Sequence, residues 1–252
     1  MSGWRDLRCE LARWEQAGRR LPFWWRDDDA VHPTAALDRL AQMSSRHGVH
    51  VHLAIIPARA EPTLAPFLGP DGFRAVIHGW SHENHAPDGH KSAEFGHPRG
   101  DAAADAARSF ERMTTLFGAR AHPMFVPPWN RIDAALLPEL AHIGYHAVST
   151  YGARKAREAV PRLVQINTHI DPVDWRGTRS VVDPELTLSR LVDTLTARRD
   201  GRTDPAEPLG LLTHHLMQDE AIWGFCDALV QELLAGPVDL FDIADHREIP
   251  LP

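Results

Sequence analysis

Three consecutive carboxylates, Asp27, Asp28 and Asp29, follow three aromatic residues and Arg26 in the stretch FWWRDDDAV, residues 23–31. A charge at the edge of an apolar core is costly unless it is paired, protonated or bound to a metal. The triplet therefore predicts a site in which at least one carboxylate has a specific partner. The alternative is a solvated turn, or an Asp that caps a helix near Thr34.

Imidazoles are the second unusual feature, because the chain contains sixteen histidines. His78 and His82 stand four residues apart in HGWSHENH, directly after an apolar run. One such pair is expected by chance in a chain this rich in histidine, and His142 with His146 is interpreted as such a structural pair. Two imidazoles with a carboxylate form a common three-ligand site for zinc and similar divalent metals. The acidic triplet could supply that carboxylate.

The elements that must position these residues alternate between short apolar runs and helical patterns. The runs that read as strands are 23–25, 49–56, 75–77, 124–126, 147–150, 163–167 and 210–213. The patterns that read as helices are 34–47, 101–117, 133–143, 184–199 and 219–234, with Thr34, Asp101 and Asp219 as candidate N-caps. Alternation of this kind predicts an α/β protein with parallel strands and crossover helices, as a barrel or an open doubly wound sheet.

Polar motifs follow five of these strands at the same, carboxyl-terminal end. They are the acidic triplet, residues 78–85, PPWN at 127–130, THIDPVDW at 168–175 and THH at 213–215. In barrels of alternating strands and helices that end carries the active site. The clustering therefore predicts one site built from distant parts of the chain.

The motifs together resemble those of the polysaccharide deacetylases, carbohydrate esterase family 4. The family's five motifs, in order, are matched by Arg26–Ala30, His78–His82, Val126–Asn130, Asp171–Trp175 and Leu212–His214. The resemblance implies a distorted (β/α)7 TIM-like barrel. It also implies a metal-dependent hydrolase that cleaves an amide carbon–nitrogen bond, most simply by deacetylating an N-acetylated sugar or glycan.

The resemblance assigns a role to each matched position. It implies a divalent metal, zinc, held by Asp29, His78 and His82. It implies that Asp28 accepts a proton from the attacking water, that His214 protonates the leaving amine, and that Asp174 orients His214. The implied substrate-binding residues are Trp80, Pro128, Trp129, Asp171 and Trp175. The 86–101 loop is interpreted as a lid, with Lys91 and Glu94 in contact with substrate.

Several positions depart from the family pattern. Gly79 replaces a hydroxyl residue, Asn130 replaces a glycine, and Val126 replaces the arginine that holds the catalytic aspartate. Arg26 or Arg131 could take the place of that arginine. Asp27 with Asp28 is an alternative register of the acidic pair, and His82 with His85 is an alternative imidazole pair. These departures suggest a divergent branch.

Bulk properties exclude other classes of protein. The net charge of −7, without a clustered basic face, argues against nucleic-acid binding. No apolar stretch suits a signal peptide or a membrane span, so we expect no membrane partner and a cytoplasmic location. Cys9 and Cys226 are expected to be reduced and buried. We expect residues 1–252 to form a single barrel domain, and the sequence leaves the oligomeric state open.

Two alternatives to a glycan deacetylase remain at this point. The first is a cytosolic hydrolase of a small non-sugar or cyclic amide, which the expected location favours. The second is a non-catalytic carbohydrate-binding relative, which the changes at positions 79 and 126 would permit.

Overall fold

A computed structural model describes residues 2–246, and one mostly parallel sheet dominates it. The sheet order is β6-β7-β5-β4-β3-β2-β1-β8, with β9 also paired to β1 and only β6–β7 antiparallel. The strands are β1 Leu21–Ala30, β2 Val51–Ile55, β3 Arg74–His78, β4 Ala121–Val126, β5 Ala147–Val148, β6 Glu158–Val160, β7 Leu163–Gln165, β8 Leu209–Thr213 and β9 Val238–Leu240.

The sheet closes on itself through the segment that continues β7. Thr168 pairs with Tyr151 beyond β5, and Ile170 pairs with Leu211 of β8. The N–H of Leu212 donates to the carbonyl of Ile170 at 2.8 Å. Seven parallel strands (β1 to β5, extended β7 and β8) thus form a ring, and the predicted distorted (β/α)7 barrel is confirmed.

Strand alternation divides the apolar residues into two clusters. The smaller cluster fills the barrel and includes Trp24, Ala54, Val76, Met124 and Val126. The larger one lies between the strands and the surrounding helices. The interior cluster fixes which side chains of β1 point inward, and this decides the fate of the acidic triplet.

Helices cover the outside of the barrel at about the predicted positions. They are α1 Ser2–Gln16, α2 Ala35–His47, α3 Ala102–Phe117, α4 Leu137–Ile143, α5 Pro184–Arg199 and α6 Glu220–Leu234. The amphipathic N-terminal segment forms α1, whose Trp14 indole donates to the Leu195 carbonyl of α5 at 3.2 Å.

Two of the three predicted N-caps are confirmed. The Thr34 hydroxyl accepts from Leu37 N–H at 3.0 Å, and the Asp219 carboxylate accepts from Ile222 N–H at 2.8 Å. Asp101 makes no capping hydrogen bond, because its carboxylate pairs with Arg99 at 2.9 Å instead.

The main error in the predicted elements concerns β1, which runs five residues beyond the predicted end at position 25. The acidic triplet therefore lies inside the strand, not in a loop after it. Tertiary pairing with β2 and β8 extends the strand, and the register to β2 shifts between Asp27 and Ala30. The three carboxylates consequently point in different directions.

Both cysteines are free, but only one is buried as expected. Cys226 is buried in α6, where burial raises the pKa of its thiol, while Cys9 is exposed on α1. Among residues 2–246, none of the helices combines the length and apolar character needed to cross a bilayer.

Candidate active site

Asp27 points away from the barrel interior and is fully buried. Its carboxylate accepts from the Thr213 hydroxyl at 2.6 Å and from the His215 N–H at 3.0 Å, and it also contacts the His215 ring. Asp27 thereby ties the end of β8 to β1. The solvated turn that was the alternative for the triplet is wrong for Asp27, because the strand continues past it. The alternative register, with Asp27 and Asp28 as the acidic pair of the site, is also wrong, because Asp27 points away from the barrel interior.

Asp28 points into the barrel and is held by Arg26, two residues earlier on the same face of β1. Arg26 Nε lies 2.8 Å from Asp28 Oδ1 and Nη2 lies 3.0 Å from Oδ2, so the pair is bidentate. The Arg26 and Asp28 side chains are 0% and 4% exposed. Arg26 also donates to Ser149 Oγ and to Asn130 Oδ1, both at 2.7 Å.

This arrangement accounts for two departures from the family motifs. The arginine that the family places at position 126 is replaced by one on β1, and Val126 instead packs in the barrel interior. Asn130, which replaces a glycine, accepts a hydrogen bond from the relocated guanidinium. Arg131, the other candidate, donates to the Ser92 carbonyl instead.

Asp29 lies against two imidazoles from the loop that begins at the end of β3. Asp29 Oδ1 is 3.1 Å from His78 Nε2 and 3.3 Å from His82 Nε2. One ligand atom from each of the three residues lies within 4.8 Å of the others. His85 is exposed and lies outside this cluster, so the alternative imidazole pair does not form.

The donor set of this cluster fits a divalent metal. The Val126 carbonyl lies 3.0 Å from His78 Nδ1, which fixes the proton on Nδ1 and leaves the Nε2 lone pair directed at the cluster. Two imidazole nitrogens and one carboxylate are a typical ligand set for zinc with an open position. The backbone is fitted to this convergence, since Asp29 and His82 both adopt positive φ, 76° and 61°.

Electrostatics keeps the cluster in a form suited to metal binding. Burial alone would raise the pKa of Asp29, but the hydrogen bond with His78 and the neighbouring imidazolium charges hold that pKa well below its usual range. Burial, together with the charge of His78, lowers the pKa of His82. Burial also lowers the pKa of His78, but the charges of Asp28 and Asp29 outweigh it and raise that pKa. Metal binding would displace the His78 Nε2 proton, because an imidazole binds a metal through a deprotonated nitrogen, and a divalent cation would add one positive charge to the cluster.

Glu94 shapes the loop that carries the two histidines. Its buried carboxylate accepts from the N–H groups of Trp80, Ser81 and His82, at 2.7–3.3 Å. We had expected Glu94 to contact substrate, but it is 1% exposed and acts on the loop backbone. Lys91 is exposed and lines a neighbouring cavity.

Glu94 also explains why position 79 is glycine. Gly79 has φ +55°, and a Cβ there would lie 2.5 Å from Pro128 Cδ and would overlap the Glu94 carboxylate. The hydroxyl residue of the family motif therefore cannot fit. Pro128 packs under this glycine and does not line the cleft, so its predicted role in substrate binding has no support in the geometry.

The predicted aromatic residues separate into two groups. Trp129 lies in the cleft, with its ring centroid 4.3 Å from that of His82. Trp175 is 37% exposed and meets the His214 ring edge-on at 4.8 Å. Trp80 lies outside the cleft, where it packs against the larger core. The Arg108 guanidinium of α3 stacks over its ring, 3.9 Å from the ring centroid.

His214 follows β8 and faces the same cleft as the metal-type cluster. Its Nδ1 is buried and has no hydrogen-bond partner among the described residues. Because its ring lines the cleft, His214 is a candidate proton donor.

Asp171, not Asp174, is the carboxylate of the fourth motif that lies beside His214. Asp171 lines the cleft and accepts from Trp175 Nε1 at 2.7 Å. Burial raises the pKa of Asp171, while the charge of His214 acts in the opposite direction. Asp174 instead accepts from the N–H groups of Gly177 and Thr178, both at 3.0 Å. The prediction that Asp174 orients His214 is therefore wrong: the chain turns after Trp175, and Asp174 caps that turn.

The cleft that joins these groups has a volume of about 500 Å³, a size suited to a small-molecule ligand or part of a glycan. Asp28, Asp29, His78, His82 and His214 all line it. Arg131 also lines the cleft, and two further lining residues, Arg176 and Arg179, carried no signal in the sequence motifs.

Solved structures with this architecture include deacetylases and esterases. A Mycobacterium smegmatis protein assigned to the polysaccharide deacetylases is 15% identical to this chain, with a TM-score of 0.61 over 86% of this chain and 77% of that one. A family 4 acetyl xylan esterase from Clostridium thermocellum, solved with a cobalt ion, is 12% identical, with a TM-score of 0.52 over 88% of each chain. This chain has the family 4 carbohydrate esterase fold. Its sequence matches no family model and no curated protein.

The family 4 fold also occurs without catalysis. A family 4 pseudoenzyme from Bacillus anthracis is 12% identical, with a TM-score of 0.54 over 88% of this chain and 64% of that one. Any activity of the present chain must therefore be argued from its own side chains.

Proposed function

We propose that this protein is a metal-dependent hydrolase that cleaves an amide bond, and that its substrate is an N-acetylated sugar or glycan. One observation carries the proposal: the Asp29, His78 and His82 cluster opens into the same cleft as Asp28 and His214. A metal-type cluster, a fixed carboxylate and an imidazole in one cleft are the groups that amide hydrolysis requires.

A zinc ion bound by Asp29, His78 and His82 would supply Lewis acidity toward the amide carbonyl and a more acidic water. Asp28 accepts the proton of the attacking water. Each Asp28 oxygen keeps a second lone pair although Arg26 occupies the first. Arg26 therefore fixes the direction of the base without blocking it.

His214 donates a proton to the nitrogen of the leaving amine. His214 and Asp28 both line the cleft, which supports separate acid and base groups, as a hydrolysis that moves two protons needs. Asp171 and Trp175 limit the orientations of the His214 ring. Trp129 and Trp175 offer flat apolar faces on which a sugar ring can stack.

Metal analysis combined with acetate release tests the proposal. Wild type and His85→Ala, whose imidazole is exposed, should each bind about one zinc per chain, and His78→Ala should lose it. Asp28→Asn should retain zinc and lose roughly a hundredfold or more of the acetate released from N-acetylglucosamine oligomers. Equal zinc in wild type and His78→Ala would contradict the metal site. A full rate in Asp28→Asn would contradict the assignment of the base.

The same assay separates two other candidates. The pseudoenzyme fold relative favours a non-catalytic carbohydrate-binding protein, which predicts sugar binding without acetate release from the zinc-loaded wild type. Hydrolysis of formyl or cyclic amides, with no acetate released from sugars, would indicate a small-amide hydrolase.

A further inference from the structure

The rim of the cleft carries positive charge that no carboxylate neutralises. Arg176 and Arg179 follow the fourth motif and are exposed, and Arg131 follows the third. Within residues 2–246, none of these three guanidinium groups has a carboxylate oxygen within 4.0 Å. Arg131 donates to the Ser92 carbonyl, and Arg179 lies over the Trp175 ring at 5.6 Å.

The carboxylates of the cleft are already committed. Asp28 is bound by Arg26, Asp29 belongs to the metal-type cluster, and Asp171 is held by the Trp175 indole beside His214. None of them forms an ion pair with a rim arginine. The positive charge of Arg176 and Arg179 therefore faces whatever enters the cleft.

Exposed arginines of this protein are of two kinds: some pair with a carboxylate, and others, such as Arg5 and Arg19, have no carboxylate oxygen within 4.0 Å among residues 2–246. The chain has 34 acidic and 27 basic residues, and its surface arginines commonly face carboxylates. Such pairs are Arg8–Glu232, Arg20–Asp239, Arg39–Glu220 and Arg46–Asp227. What singles out Arg131, Arg176 and Arg179 is that all three line one cleft, where in a protein with a net charge of −7 they favour an anionic ligand.

A neighbouring cavity continues the basic surface. It has a volume of about 530 Å³ and shares Asn130 and Arg131 with the cleft. His90, Lys91 and His97 line it, and no Asp or Glu stands among its described lining residues. Two cavities with one shared wall give room for more than one sugar unit, with basic groups along the whole path.

The turn that carries the two rim arginines is built to hold them. Asp174 accepts the N–H groups of Gly177 and Thr178, which lie between Arg176 and Arg179. Arg179 has φ +62°, and its guanidinium stands over the Trp175 indole. The role of Asp174, which does not orient His214, is thus to position this arginine pair.

We propose that the cleft binds an N-acylated sugar that carries an anionic group, a carboxylate or a phosphate, and that Arg176 and Arg179 bind that group. Guanidinium groups suit this task because their donors match the oxygens of carboxylates and phosphates in a bidentate manner. The substrate class rests on the proposed function, whereas the binding preference can be measured without turnover.

The test measures binding of three sugars to the zinc-loaded protein by titration calorimetry. The probes are N-acetylglucosamine, N-acetylglucosamine 6-phosphate and N-acetylmuramic acid, which are neutral, phosphorylated and carboxylated. At low salt, at least one anionic sugar should bind roughly ten- to a hundredfold more tightly than the neutral one, and high salt should reduce the difference. The anionic sugar that gains more identifies the source of the charge.

Matched variants assign the preference to the rim. Arg176→Gln/Arg179→Gln should remove it, so that neutral and anionic sugars bind this variant with similar affinities. The control Arg5→Gln/Arg19→Gln removes the same charge from exposed positions on and just after α1 and should keep the preference. The single variants Arg176→Gln and Arg179→Gln should each lose part of it, and a denaturant unfolding curve checks that every variant is folded.

Equal affinities for neutral and anionic sugars in the wild type would overturn the inference, and so would a preference that survives in the double rim variant. Acetate release tests the proposed function separately. Turnover of the neutral sugar without any anionic preference refutes the inference alone. Anionic preference without any hydrolysis refutes the proposed function alone.

Discussion

The ion pair inside the barrel gives the most demanding prediction, because it depends on a partner that the family motifs place elsewhere. Replacing Arg26 with Met keeps an unbranched side chain but leaves the Asp28 carboxylate, 4% exposed, without its counter-charge. The acceptors Ser149 Oγ and Asn130 Oδ1 also lose their donor.

The expected magnitude follows from the geometry. Two unit charges about 4 Å apart at an effective dielectric constant of about 20 interact by about 4 kcal/mol. Removing one partner of a buried pair typically costs about 3–5 kcal/mol, because the other charge stays buried and unpaired. We therefore expect Arg26→Met to lower the free energy of unfolding by about 3–5 kcal/mol.

The assay is urea unfolding of the metal-free protein for wild type, Arg26→Met, Asp28→Asn and the double variant. Because the double variant contains no bare buried charge, it should regain at least about 2 kcal/mol relative to Arg26→Met. The control is Arg20→Met, which breaks a pair of the same 2.8 Å length whose side chains are 58% and 60% exposed. That change should cost less than about 1 kcal/mol.

Strictly additive effects of the two buried substitutions would refute this reasoning. So would an Arg26→Met variant that loses no more stability than the exposed control. Either result would mean that water or another cation compensates Asp28, and that Arg26 does not replace the family arginine.

Three further predictions concern the loops and the barrel interior. Gly79→Ala should lower zinc affinity and should cost more stability than the about 1–2 kcal/mol expected for an alanine in the left-handed region, because its Cβ would overlap Pro128 and Glu94. The control is Gly89→Ala, where φ is +78° and the space around a Cβ is open. Equal losses of stability in the two variants would contradict the packing argument. Asp171→Asn should lower kcat about tenfold or more, whereas Asp174→Asn should mainly raise KM for anionic sugars. A larger loss of kcat in Asp174→Asn than in Asp171→Asn would mean that Asp174 orients His214 after all. Burial lowers the pKa of His52 to about 4 in the folded protein, from 6.5 in the unfolded chain. The folded protein therefore favours the neutral imidazole, and its stability falls as the pH drops from 6.5 toward 4. From about pH 7 to about pH 5 wild type should therefore lose about 2 kcal/mol more than His52→Gln by denaturant unfolding, and parallel pH profiles would contradict this.

The sequence by itself determined the architecture and the list of chemical groups. Alternating strands and helices predicted the barrel, and polar motifs at the strand ends predicted that distant segments would meet. Asp29, His78 and His82 followed from residue type and spacing together with the family resemblance, and the structure brings them together. These inferences succeeded because the period of each element and the direction of parallel strands are local properties of a chain.

Only the tertiary structure decided what each group contacts. Pairing with two neighbours extended β1 through the acidic triplet, so alternation sent Asp27 outward to His215 and Asp28 inward to Arg26. How loops fold back on themselves decided two further contacts. It placed Asp171, not Asp174, beside His214, and it buried Glu94 under the loop that carries the two histidines. Spacing along a chain limits which residues can meet at a strand end, but the partners of a buried charge are chosen by the packing that removes water from it.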